Sequence, residues 1–183
     1  NKVELNINNY NLLREKNIIA LLKLILNKID SFIEIKNDVN HDSYITREIM
    51  ESNINIDKKI QLLDSIDMSN ISSKGISILI DEIINNNIYL NDTFIEALFD
   101  FAKENDKIKY FIYLHKNNNN YINYLYKIND KVNKIRDGKS TSLSFDYDNQ
   151  IYELMKYLKS LGIINKCDIK KNKIKISYNK TTI

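Results

Sequence analysis

The sequence predicts a mainly α-helical chain. The expected fold is an antiparallel helical array or repeat-like bundle, closing on a C-terminal winged-helix-like helix plus β-hairpin. Three observations predict it. Apolar residues recur at helical spacing through most of the 183 residues. Proline is absent and glycine occurs only three times, so little in the chain interrupts a helix. After Gly138 the pattern changes, ending in strict apolar alternation at Ile174, Ile176 and Tyr178. We therefore divide the chain into a helical array, 1–137, and a winged-helix-like element, 138–183.

The elements follow in order. Leu12, Leu13, Ile18, Ile19, Leu22, Ile25, Leu26, Ile29, Phe32 and Ile33 form one stripe, predicting a long helix over 11–35. A polar break precedes a short helix carrying Ile45 and Ile49. The next begins near Asn55 or Asp57, both good caps, and buries Ile60, Leu63 and Ile66. Ser72 and Ser73 open a helix with Ile76, Leu79, Ile80, Ile83 and Ile84 inward and Gly75 in its first turn. Thr93 and Glu96 have capping-box spacing for a helix that buries Phe94, Ile95, Leu98, Phe99 and Ala102. Two more helices are expected at 106–116 and 119–136, the second along the seam Ile122, Leu125, Ile128, Val132, Ile135.

A faint internal repeat aligns Asn53-Ile54-Asn55-Ile56 with Asn87-Ile88-Tyr89-Leu90, an offset the size of one antiparallel helix pair. Any series of short helices and loops can produce the same alignment. The Ser/Thr-rich segment 139–147 reads as a loop or short strand. Asp146 or Asp148 then caps a helix with Ile151, Leu154, Met155, Leu158 and Leu161 on one face, and Gly162 stands where a left-handed residue ends a helix. Strands are expected over 163–169 and at 174–178, with Lys171-Asn172-Lys173 as the turn.

Composition excludes several classes. With 43% hydrophobic residues the chain is neither collagen-like nor wholly disordered. The single Cys167 excludes an internal disulfide framework and a Cys-based zinc site. Ile over Val and Lys over Arg mark A/T-rich coding, so the Asn runs carry little information. The opening helix has no apolar run approaching the roughly 20 residues that span a bilayer, so neither a signal peptide nor a membrane anchor is expected and the cytoplasm is the expected compartment. A first residue of Asn1 leaves open a piece of a longer polypeptide or a trimmed terminus.

The net charge of +3 hides an asymmetry. Residues 150–183 carry eight lysines against Glu153 and Asp168, a net of +6, leaving −3 for the rest. If nucleic acid is bound, Lys170, Lys171, Lys173 and Lys175 on the hairpin should carry it, because Ile169, Ile174 and Ile176 must turn inward. Lys156 and Lys159 on the preceding helix extend the patch. The plainer reading is that these lysines solvate an edge strand and keep it from aggregating. Arginine, the usual reader of base edges, is absent from the segment.

Motifs for chemistry are missing. There is no P-loop, no dinucleotide fingerprint, no HExxH and no nucleophile elbow. His41 reads as a surface or capping histidine, and His115 as a helix-closing residue at the negative end of the dipole. Cys167 reads as a small buried hydrophobe, and acidic residues such as Asp57, Asp64, Asp67, Asp81, Glu82 and Asp92 as helix starts and outer faces. No catalyst, cofactor or metal site is expected. Tyr110, Tyr113, Tyr121, Tyr124 and Tyr126, interleaved with Lys107, Lys109, Lys116 and Lys127, suggest either packed rings or a stacking surface.

The stretch from Tyr147 to Lys166, with Glu153-Leu154-Met155-Lys156-Tyr157-Leu158-Lys159-Ser160-Leu161-Gly162-Ile163-Ile164 at its centre and Lys173-Ile174-Lys175-Ile176 after it, resembles the end of KAP-type, STAND-like bacterial P-loop NTPases. Those proteins close with such a helix and basic hairpin after a run of helix pairs. The resemblance implies the helical and winged arm of a longer, defence-associated protein, acting in sensing or assembly. No NTPase residue transfers, since this chain has no Walker motif. The expected function is a non-catalytic interaction module whose partner is another protein or the remainder of a longer polypeptide, with non-specific nucleic-acid binding as the alternative and no membrane partner.

Overall fold

The structure, a computed structural model, describes residues 50–51, 55–63, 68–136 and 141–178. The helices expected over 11–35 and around Ile45 and Ile49, with His41, Asp64, Ile66, Asp67 and the repeat residues Asn53 and Ile54, lie outside these residues. The chain is mostly helical with a small three-stranded antiparallel sheet, and it divides into two compact units, 1–101 and 102–183.

In the first unit, α1 (Ile56–Leu63) starts at Asn55, whose Oδ1 accepts from the Asp57 amide at 2.8 Å. A 3-10 turn (Met68–Asn70) leads to α2 (Ser73–Asn85). Its cap is Ser72: the hydroxyl accepts from the Gly75 amide at 3.0 Å and donates to Glu51 Oε1 at 2.5 Å. A methyl group at Gly75 would come within 3.0 Å of Ile71 Cγ2 and 3.3 Å of Met50 Cβ, so glycine sets that close approach. Asn87, at φ 55°, ends α2 as glycine usually would. The amides of Asn87 and Ile88 reach the carbonyls of Ile84 and Ile83, forming a Schellman motif.

The next helix, α3 (Asp92–Phe101), departs from the expected capping box. Asn91 caps it, its Oδ1 accepting from the Phe94 amide at 3.1 Å, which places Thr93 and Glu96 inside the helix and exposed. Ile76, Leu79, Ile80, Ile83, Ile95, Leu98 and Phe99 form the core, each at most 1% exposed. Phe101, the last residue of α3, is 45% exposed. Lys59 is buried in this unit too. Its Nζ donates to the Met50 carbonyl at 3.1 Å and lies 3.3 Å from Glu82 Oε1, so Glu82 is a core partner rather than an outer-face carboxylate.

In the second unit, α4 (Glu104–Asn117) is followed by a 3-10 segment (Asn119–Lys127) and by α5 (Asp130–Arg136). One continuous helix over 119–136 is thereby corrected. The break falls at Ile128–Asn129, where Asn129 Oδ1 accepts from the Lys131 amide at 2.8 Å and its Nδ2 donates to Glu104 Oε2 at 2.6 Å. Leu125, Ile128, Val132 and Ile135 are buried all the same.

The Ser/Thr-rich segment contains a strand, β1 (Ser142–Asp146), ahead of α6 (Asn149–Ser160), β2 (Lys166–Lys170) and β3 (Lys173–Ser177). The sheet order is β1-β3-β2, both pairings antiparallel. A strand between α5 and α6 means that these two helices do not form a helix-turn-helix. The second unit holds α4 and α5 together with the hairpin.

Candidate functional site

Asp148 fixes the start of α6, its Oδ1 accepting from the amides of Gln150 at 2.8 Å and Ile151 at 3.1 Å. Leu154, Met155 and Leu158 are buried beneath the helix, and Glu153, Lys156 and Lys159 stand on its outer side. Gly162, at φ 77°, ends it: the Gly162 amide donates to the Lys159 carbonyl and the Ile163 amide to that of Leu158. Leu161, expected inward, lies past the last helical turn and is 41% exposed.

The hairpin turns on Lys171 and Asn172, both at positive φ (50° and 60°), as a two-residue type I′ connection requires. Register then sets two faces. Leu143, Phe145, Cys167, Ile169, Ile174 and Ile176 share the inner one, and the lysines share the outer one with serines and aspartates. Lys175 lies between Ser144 and Asp168, and Lys173 between Asp146 and Lys170. Lys173 Nζ is 3.4 Å from Asp146 Oδ1.

On α6, Lys156 Nζ is 2.6 Å from Glu153 Oε1 and 4.8 Å from the centre of the Tyr152 ring. The Glu153 hydrogen bond pushes its pKa above the usual lysine value. Four of the six expected nucleic-acid lysines (Lys156, Lys170, Lys173, Lys175) thus have a carboxylate or another lysine directly beside them, and Lys159 and Lys171 are plainly solvated. On the sheet, Lys173 and Lys175 are paired across the strands with Asp146 and Asp168, whereas Lys156 and Lys159 stand on the outer side of α6.

The inner face holds a second correction. Ile174 and Ile176 are buried as expected, but Ile169 is 46% exposed, because β2 is an edge strand and the core beneath it stops short of Ile169. Cys167, on the same strand, is half-buried, and burial pushes its thiol upward despite Lys159 and Lys156 nearby. A raised thiol pKa disfavours the thiolate, which is the nucleophilic form.

His115 does stand in the last turn of α4, as expected, but it is buried there. It is 6% exposed, its ring tilted against Phe111, and its Nδ1 shares a hydrogen bond with the Tyr157 hydroxyl at 2.5 Å. Burial lowers its pKa, so the neutral ring is the packed form. The tyrosine cluster is likewise mainly packing. Tyr110 is 1% exposed and stacks on Tyr113 at 6.2 Å, while Tyr121 and Tyr124 lie 5.9 Å apart, with Lys127 over the Tyr124 ring. Burial and the three neighbouring tyrosines push the Tyr110 hydroxyl above its usual pKa.

Sequence reasoning missed one feature. Where the 3-10 segment meets α5, an open polar cleft of about 320 Å³ is lined by Glu104, Lys107, Tyr126, Lys127, Asn129 and Asp130. It lies where the backbone breaks, with Glu104 held by the Asn129 side-chain amide and Lys107 by the Lys127 carbonyl. Among the described residues no group of His, Cys, Asp and Glu is arranged to hold a metal ion, and no helix is long and apolar enough to cross a membrane. No family model matches the chain, and no curated protein or solved structure matches it.

Proposed function

We propose that the C-terminal unit is a non-catalytic interaction module that holds a partner protein, or another part of a longer polypeptide, on its sheet and α6. The observation that carries this reading is Ile169. It is 46% exposed on a strand with a single neighbour, while Phe145, Ile174 and Ile176 on the same face are at most 3% exposed. A β-branched residue held in water at a sheet edge offers apolar area and unpaired backbone groups together, which is what a partner chain uses. Two side chains capable of acid–base chemistry have structural duties: His115 packs against Phe111 and Tyr157, and Glu82 pairs with Lys59. The likeness of 147–166 to the closing segment of KAP-type NTPases supports a sensor or assembly arm of a cytoplasmic, defence-associated protein.

The nucleic-acid reading keeps one favourable observation, the exposed pair Lys170 and Lys171 at the hairpin tip. Titrating the full chain with a random duplex at low and moderate salt separates the two. Phosphate contacts give an affinity that falls steeply with salt, by about one log unit of slope per neutralised phosphate. The interaction reading expects weak duplex binding that replacement of the hairpin lysines leaves in place. A slope of about four that disappears with those lysines overturns it.

A further inference from the structure

Resting on the interaction reading, we infer that the outer edge of β2 binds an extended acidic–aliphatic peptide, which joins the sheet as a fourth strand beside Cys167 and Ile169.

The backbone geometry comes first. In a two-residue hairpin the closing pair, Lys170 with Lys173, is a hydrogen-bonded one, and such pairs alternate along the ladder. Lys166, Asp168 and Lys170 therefore direct their amides and carbonyls at β3, whereas Cys167 and Ile169 direct theirs away from it. The same alternation on the other side of β3 turns the Ser144 carbonyl outward, and there Lys131 Nζ donates to it at 3.0 Å. Lys131 also lies 5.4 Å over the Phe145 ring. The β1 edge is thus closed by a lysine that bonds the backbone. On β2 the lysines stand on the outer face instead, perpendicular to the edge, and an incoming strand can reach the backbone.

Charge selects the occupant. A fourth strand would set alternate side chains beside Lys166, Asp168 and Lys170, and the intervening ones beside Cys167 and Ile169. Acidic residues suit the two lysine positions, a hydroxyl suits Asp168, and aliphatic residues cover Ile169. Lys156 and Lys159, on the helix that packs against β2, add positive charge beside Cys167. A second copy of this chain fits less well: full antiparallel overlap of two β2 strands would set Lys166 against Lys170 and Asp168 against Asp168. The pattern Glu-Val-Thr-Val-Glu satisfies the edge in either strand direction.

The test uses the full chain and two labelled peptides, one containing Glu-Val-Thr-Val-Glu and one Lys-Val-Thr-Val-Lys, read by anisotropy. The acidic peptide should bind at least about tenfold more tightly, and amide exchange at Cys167 and Ile169 should slow on binding. Ile169→Pro removes an outward-facing amide at a position where an edge strand tolerates proline, and should weaken binding about tenfold or more. Should that variant melt early, the double replacement Lys166→Glu with Lys170→Glu decides instead, by inverting the preference between the peptides. Acidic-peptide binding with protection elsewhere and no response to either variant overturns the edge assignment while leaving the interaction reading intact. A dimer that Ile169→Pro dissolves assigns the edge to a second copy and overturns the peptide. No peptide binding by a monomeric chain overturns the inference, and the duplex titration then decides the broader reading separately.

Discussion

Lysine is used in opposite ways in the two units. In the first, Lys59 is fully buried, with its ammonium on a backbone carbonyl and the Glu82 carboxylate. Desolvation lowers its pKa, and Glu82 opposes that by holding the charged form. In the second unit, the hairpin lysines remain in water and face serines, aspartates and one another across the strands. A buried cation is tied to its partners, because losing one strands the other in a low-dielectric site. A solvated cation is replaceable for folding and available for binding. The difference teaches that residue type alone does not reveal which lysines serve the fold.

The contrast is broken most severely at Lys59. Lys59→Met leaves the partly buried Glu82 carboxylate without its cation and should lower unfolding free energy by about 3 kcal/mol, measured by urea denaturation of the full chain. A loss below about 1 kcal/mol would mean that Glu82 relaxes to solvent and that Lys59 resembles the hairpin lysines after all. In the second unit, the corresponding dependence lies in backbone geometry. Gly162→Ala places a Cβ in open space but at a φ that L-residues avoid, for a cost of about 1 kcal/mol in the same assay.

The sequence makes a good part of this legible, for identifiable reasons. Ser72 and Gly162 announce themselves because caps are local: a few adjacent residues set them. The hairpin is legible because alternation over five residues has no helical counterpart. The 3-10 segment escapes because Ile122, Leu125 and Ile128 are spaced by three, which suits a 3-10 helix as well as an α-helical seam. Lys59 escapes because an apolar stripe passes over charged residues. In the candidate site the lysines themselves can be read from the chain, but Asp146 as the partner of Lys173 cannot. That pairing depends on the register between β1 and β3, set by distant residues such as Phe145 and Ile174.

The two smallest effects sharpen the comparison. Below its usual pKa near 6.5 the His115 ring takes a proton readily in the unfolded chain, whereas burial resists that in the fold. The unfolded state thus binds more protons, and stability should fall as pH drops through 6.5 toward the lower folded value. Comparing melts at about pH 7.5 and 5.5 should show that His115→Gln loses less across this window than the parent chain does. Finally, replacing Lys170, Lys171, Lys173 and Lys175 together with Gln should move the melting temperature by no more than about 2 °C. A larger drop would place the hairpin lysines with Lys59, as part of the fold.

The strand order has a consequence in time. β3 is the central strand of the sheet and the last of the three in the chain, so during synthesis β1 and β2 both emerge before either has a neighbour to pair with. Phe145 and the buried face of α6 then await Ile174 and Ile176, and the sheet assembles in one late event rather than strand by strand. A message cut short before Lys173 would release two unpaired strands joined by a helix with an open apolar face, a substrate for chaperones or proteases rather than a slightly shortened protein.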